Sequence, residues 1–431
     1  MKYMLVLALC LLSLIAYSQG SFTKTKDLYY QISPVPGFKK SVVSFTFDDG
    51  YLNQFRIGLP LLKEYNLPAT FYLITGLLDS LTRKTITDNL TADYEIGSHT
   101  VTHADLANSV PENIDRELVN SRKTIQDYFG NANGLTLCYP WGLFNGYAKK
   151  SASVFYMGAR SADIGYNSLN HFDRYAIKMQ GFSENTKPDE ANSWVDYAIT
   201  NHLWLVEMIH GIDGEGFSPV SSLTLGEHLR YVCSNDSLIW CSTVANYIKY
   251  FEESQVADIT CDECSDTVYK IRINDYLDDA IYNQPLSVMI KVPESWSDIN
   301  VLCKNHNEKV SELKPQYVTF DALPDGNQII VRPSFLKDYY LQESYGLKLL
   351  YLTANPFIDE LRITLEALNL QDIEVGLFDL NGMLLINQSV KSVEGIFDTY
   401  LETSKISSGI YILRIISLTD KVRFIKKMVK I

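Results

Sequence analysis

The sequence predicts an α/β fold: a (β/α) barrel, irregular or incomplete, followed by two small all-β sandwich-like modules. Three observations carry this. The length, 431 residues, corresponds to two or three domains at roughly 150 residues each. From Ser41 to about Glu253, apolar runs of strand length alternate with stretches at helical spacing, the rhythm of repeated βα units and hence of a parallel sheet covered on both faces. After Ser254 the texture turns to short alternating strands broken by Asn, Asp and Pro.

In chain order, Lys2 followed by the apolar run Met4 to Ala16 and the small residues of Ala16-Tyr17-Ser18 reads as an export signal over residues 1–18. About 13 apolar residues fall short of the roughly 20 that span a bilayer. An α/β domain is expected over 19–253. Its strands are Val42 to Phe47, Ala69 to Ile74, Glu95 to Gly97, Leu135 to Tyr139, Met157 to Arg160, Leu203 to Ile209 and Leu238 to Cys241, with a helix over Asn113 to Phe129 among them. A β-rich module of unassigned role fills 254–350, and another all-β unit 351–431, where Asn381-Gly382 marks a hairpin turn. Six cysteines of the mature chain are too dispersed for a disulfide scaffold; Cys261-Asp262-Glu263-Cys264 reads as a local disulfide or two buried thiols, and a Cys233–Cys241 bridge stays open.

Composition narrows the partners. Hydrophobic residues are 46% and charged residues 21%, enough apolar mass for real cores. Lys+Arg 38 against Asp+Glu 51 leaves a formal charge of −13, which repels a phosphate backbone and argues against nucleic acid.

In a parallel barrel, functional groups collect at the carboxyl ends of strands. The first strand ends in Asp48-Asp49-Gly50, and the third leads into His99-Thr100-Val101-Thr102-His103, two imidazoles that share one face if a helix begins there. Two histidines and a carboxylate are a common way to hold a divalent ion with positions left open for water. Two more strand ends add Tyr139-Pro140-Trp141-Gly142 and Ile209-His210. Each has a plain structural reading, a Pro-bearing turn and a capping His, but four strand ends agree.

These motifs, in this order, resemble the polysaccharide deacetylase family (carbohydrate esterase family four) over roughly residues 36 to 253. Thr46 to Gly50 matches its first motif, His99 to His103 its second, Pro140-Trp141-Gly142 its third and Ile209-His210 its last. The resemblance implies Asp48 as general base, Asp49, His99 and His103 as ligands of one divalent metal (Zn2+ first, with Co2+, Ni2+ or Fe2+ accepted), and His210 as general acid. It implies Tyr139, Pro140 and Trp141 at the substrate, with a turn N–H toward the oxyanion. Where the family commonly carries an Arg before the third-motif Pro, this chain has Cys138; Arg160 is the candidate replacement beside Asp48. The family's Asp-x-x-Asp-Trp motif is not visible, which leaves Asp163 and Asp173 as stand-ins for the carboxylate that tunes His210.

The last 80 or so residues resemble the sorting domain of type IX secretion cargo, through Asn355-Pro356-Phe357, Phe378 to Gly382, Ser408 to Leu413 and the basic end Lys426 to Lys430. Together the resemblances imply a secreted or outer-membrane surface hydrolase acting on carbon–nitrogen (non-peptide) bonds or carbohydrate acetyl esters. The expected partners are an acetylated polysaccharide or oligosaccharide and the type IX machinery. The leading expectation is removal of N-acetyl groups from chitin- or peptidoglycan-like glycans. An acetylxylan esterase and a catalytically weak surface glycan-binding protein are the alternatives. Trp296 and Tyr317 of the middle module are candidates for sugar stacking, with core packing the simpler reading.

Overall fold

The computed structural model describes residues 23–24, 28–265, 268–294, 296, 299–303, 306–308, 313–314, 316–333, 347–353, 357–379, 382–418 and 423–430. The expected export signal, Asn355-Pro356 and Asn381 lie outside them. The chain divides into two compact units, one of residues 1–293 with 301–331 and one of residues 294–300 with 332–431. No helix among the described residues is long and apolar enough to cross a membrane.

Seven parallel strands close the barrel: β1 (Ser41–Phe47), β2 (Ala69–Leu73), β3 (Tyr94–Ser98), β4 (Thr136–Cys138), β5 (Gly158–Ile164), β6 (Ile177–Gly181) and β7 (Leu203–Ile209). Closure is made by β7 against β1, in register from Trp204↔Val42 to Ile209↔Phe47. The segment Ile239–Cys241, read from sequence as a further strand of the rhythm, pairs with the start of β1 outside that ring. The true sixth strand, β6, is a short Ile-Lys-Met-Gln-Gly run whose alternation is too brief to register as a βα repeat. The helices are α1 (Leu59–Glu64), α2 (Ser80–Thr87), α3 (Pro111–Phe129), α4 (Gly146–Phe155), α5 (Pro188–Asn201), α6 (Ser222–Ser234) and α7 (Val244–Val256).

Period-two alternation sorts the strand residues into two environments. Val43, Phe45, Phe47, Phe71, Leu73, Ile96, Leu205 and Ile209 face outward and pack with Leu59, Leu62, Leu225 and Leu229 of the helices. The opposite parity is rich in polar groups. At the barrel floor, Glu95 accepts from the backbone N–H of Ala245 and from the Thr70 and Thr136 hydroxyls, and Thr70 Oγ1 accepts from the N–H of Val244. A carboxylate at the start of α7 meets both its orphan donors and its dipole. Helix α3 is set by Pro111 in its first turn and by Ile114, Leu118, Ser121 and Ile125 on the buried face, and it stops at Gly130, whose φ is 86°.

The remaining chain is all β. Asp258–Cys264, Tyr269–Asn274, Ile329–Pro333, Ile299–Cys303 and His306–Glu308 form one sheet. Leu286–Lys291, Tyr317–Ala322 and Leu313–Lys314 form another, completed by Tyr29–Ile32 and Thr23–Lys24 from before the barrel. Cys261 and Cys264 are joined by a disulfide, while Cys233 and Cys241 are free thiols. Trp296 is buried. In the second unit, Glu360–Phe378 and Leu384–Glu402 make a long hairpin flanked by Leu347–Leu352, Gly409–Ser417 and Arg423–Lys430 around a core of Leu361, Ile363, Leu365, Val375, Leu377 and Leu413.

Candidate functional site

The site is built on the carboxyl-terminal rim of the barrel. After β1 the chain turns through Asp49 and Gly50, both in the left-handed region (φ 73° and 80°), and this reversal separates the two carboxylates. Asp48 points into the barrel and is 3% exposed, while Asp49 faces the rim. Gln54, buried, donates from Nε2 to the carbonyls of both Asp48 and His210, tying the ends of β1 and β7 together.

No helix forms at His99. The two imidazoles converge because Thr100 and His103 both adopt left-handed backbone (φ 65° and 58°). A β-branched residue in that region is strained. Glu117 of α3 holds the loop: its carboxylate accepts from the N–H groups of Val101 and Thr102 at 2.8 Å each and from the Thr102 hydroxyl at 2.9 Å. His99 Nε2 and His103 Nε2 lie 3.5 and 3.6 Å from Asp49 Oδ1. The ligand atoms of Asp49, His99 and His103 all fall within 4.8 Å of one another. His99 Nδ1 sits 2.8 Å from the Cys138 carbonyl, which fixes that nitrogen as the donor and leaves the Nε2 lone pair for a cation. Burial lowers the pKa of both histidines despite the opposing pull of Asp48 and Asp49. Neutral imidazoles with a carboxylate are a fitting donor set for a borderline divalent ion.

Arg160, at β5, is 1% exposed and forms a buried ion pair with Asp48 through Nη2, which also lies 2.9 Å from Cys138 Sγ. Cys138 Sγ in turn is 3.6 Å from Asp48 Oδ2. Burial pushes the Asp48 carboxyl up, but Arg160 first, then His99 and His210, outweigh it and bring the group down to about 2. The thiol of Cys138 is pushed well up by burial and is uncharged. His210 Nε2 lies 3.8 Å from Asp48 Oδ2.

The geometry also places the third-motif turn and the two stand-in carboxylates. Tyr139 turns inward: it is 1% exposed, stacks on Phe144 and donates its hydroxyl to the Tyr175 carbonyl, so its side chain is unavailable to a substrate. Trp141, 67% exposed with its ring 4.6 Å from His103, is the member of the Tyr139-Pro140-Trp141 turn that reaches solvent. The turn is tight because Trp141 and Gly142 are both left-handed, and a Cβ on Gly142 would overlap Ala162. Neither stand-in carboxylate serves His210. Asp163 is exposed, Asp173 pairs with Lys149, and His210 Nδ1 is buried without a partner among the described residues.

Sequence reasoning passed over Gln54, Glu117 and Tyr51, whose side chain hydrogen-bonds Asp49. One signal was present. Glu117 is a charged residue on the stripe that also carries Ile114, Ser121 and Ile125, where helical spacing calls for burial.

Residues 36–157 match the family model of the polysaccharide deacetylases, and residues 354–430 match that of the secretion system C-terminal sorting domain. Over those spans the barrel is similar to the polysaccharide deacetylases, and the last β unit is similar to secretion sorting domains. Over 326 residues it is 23% identical to a gellan lyase of a Bacillus species, a span of 68% of this chain and 13% of that protein. It is 31% identical over 98 residues to peptidoglycan-N-acetylglucosamine deacetylase of Bacillus cereus (22% of this chain, 44% of the other). It is 27% identical over 118 residues to chitooligosaccharide deacetylase of Sinorhizobium fredii (27% and 54%). The chain thus spans about half or less of the length of these curated relatives.

Proposed function

We propose that this chain is a secreted, metal-dependent carbohydrate deacetylase that hydrolyses N-acetyl groups on glycans, with Asp49, His99 and His103 holding one divalent ion, Zn2+ first. The observation that carries the reading is the convergence of those three ligand atoms within 4.8 Å beside a buried, ionised Asp48. The relatives named for peptidoglycan N-acetylglucosamine and chitooligosaccharide point to the N-acetyl class.

A divalent ion in this donor set supplies Lewis acidity to water and to an acetyl oxygen. The chain's own groups do the rest. Asp48, held ionised by Arg160, accepts a proton from the attacking water; its low pKa keeps it available at every working pH at some expense of basicity. The N–H of Trp141 donates to the developing oxyanion. His210, beside Asp48, gives a proton to the departing amine. Arg160 performs the charge pairing that Cys138 cannot. The sorting domain addresses the enzyme to the type IX machinery and the cell exterior.

The test is acetate release from chitooligosaccharides and from acetylated xylan, before and after chelation and Zn2+ reloading. Chelated protein is expected to be inactive, with activity restored by metal. Asp48→Asn is expected to lose about 10²–10⁴-fold in kcat/KM. Faster release from xylan would assign an O-acetyl esterase instead. No metal-dependent release from either substrate, with glycan binding intact, would leave only a binding protein.

A further inference from the structure

The loop after His210 has no part in the chemistry above, yet it is built with unusual rigidity. Gly211 donates its N–H to the Phe217 carbonyl, Val220 N–H to the Gly211 carbonyl and Asp213 N–H to the Val220 carbonyl, closing residues 211–220 on themselves. A Cβ on Gly211 would lie 1.8 Å from the Glu215 carbonyl, so only glycine permits the fold. The loop is also clamped to the segment after Asp49. Glu215 accepts from the N–H of Asn53 at 2.5 Å, Asn53 Nδ2 donates to the Ile212 carbonyl at 3.0 Å, and Gly216 lies against the ring of Tyr51.

This frame presents Phe217 to solvent. The ring is 66% exposed and its centroid lies 5.3 Å from that of His210. The loop's hydrogen bonds hold this ring in place beside His210, where a bound sugar would cover its apolar face. Contacts run Trp141–His103–Asp49 on one side and Asp48–His210–Phe217 on the other, with Asp48 and Asp49 adjacent in the chain. The reactive centre therefore lies between two exposed aromatic rings.

We propose that Phe217 is a second sugar platform, opposite Trp141, so that the site takes a linear oligosaccharide whose units flank the acetylated one. Pyranoses with equatorial substituents present the apolar C–H faces that such rings cover. The proposal rests on the deacetylase reading for its substrate but is read by binding. Metal-loaded full-length protein is titrated with tetra-N-acetylchitotetraose and with N-acetylglucosamine. Phe217→Ala is expected to weaken tetramer binding about fivefold to tenfold while moving monomer affinity less than twofold, and Phe217→Trp to keep wild-type affinity. An unchanged tetramer Kd in Phe217→Ala, an equal loss on both sugars, or no tetramer binding by the wild type would overturn it. Ring-dependent binding without acetate release would leave the platform standing and remove the hydrolytic reading alone.

Discussion

Asp48 and Arg160 depend on each other. Both are nearly fully buried, and either one left alone would be an uncompensated charge in the barrel. Replacing Arg160 by Met removes the main force that opposes burial, so the Asp48 pKa rises. In the wild type Asp48 titrates near 2, and the acid limb of kcat/KM therefore reports other groups. In Arg160→Met that limb is expected to move to higher pH, with activity lost first on the acid side, as a kcat/KM profile from pH 4 to 9 would show; an unmoved limb would detach Arg160 from the base. The same pair sets a stability window. A carboxyl with a depressed folded pKa stabilises the fold above its unfolded value of 3.8, and that contribution disappears as pH falls toward 2. Asp48, Asp49, His99, His103 and His210 stand at strand ends in the sequence, so their gathering was legible from the βα rhythm. Arg160 was legible only as a nearby cation, because a contact across four strands has no signature in spacing.

At the scale of the element, the metal-ligand loop is shaped by a helix that contributes no ligand. Glu117 of α3 gathers the N–H groups of Val101 and Thr102 and so holds Thr100 and His103 in left-handed backbone. Both N–H groups donate to the same oxygen, Oε2, and the negative charge that strengthens those bonds is absent from Gln. Glu117→Gln is expected to weaken divalent-metal affinity about 10–100-fold, the usual penalty for an outer-shell partner, while all three ligands stay in the chain. Zn2+ competition against a chromogenic chelator would measure this, and wild-type affinity would show the loop to be rigid without Glu117. In the sequence, the spacing of His99 and His103 brings the two imidazoles to one face only if a helix begins there. The loop reaches a similar convergence by left-handed turns, and no residue preference announces those: Thr is among the poorest residues for that region. Strand β6 was missed for a related reason, since five residues carry too little alternation to stand out from a loop.

At the scale of the molecule, the barrel is joined to the β module that follows it in sequence. Tyr29–Ile32, ahead of the first barrel strand, pairs with Leu286–Lys291, and Tyr250 of α7 donates to the Ser33 carbonyl while accepting from the N–H of Ser287. The change of texture near Ser254 marks where helices stop, whereas the packing crosses that point; pairing between strands some 250 residues apart leaves no local trace. Glu253, at the end of α7, lies in this junction with no solvent exposure and accepts from the Gln284 N–H. Burial first, and then Asp275 and Asp279, raise its pKa to about 7 against the pull of that N–H and of Lys249. The unfolded chain ionises near 4.5, so the folded state binds the extra proton between 4.5 and 7. Stability from this group is full below about pH 4.5 and is lost as pH rises through 7. Other groups titrate in the same range, among them His99 and His103, whose lowered pKa values act in the opposite sense below 6.5. The informative quantity is therefore the difference between wild type and Glu253→Gln. From pH 4.5 to 8 the wild type is expected to lose about 1–3 kcal/mol relative to the variant. Urea unfolding at a series of pH values, followed by tryptophan fluorescence, would measure it. A difference that stays flat across the range would mean that Glu253 is ionised in the folded protein and that the junction tolerates its charge.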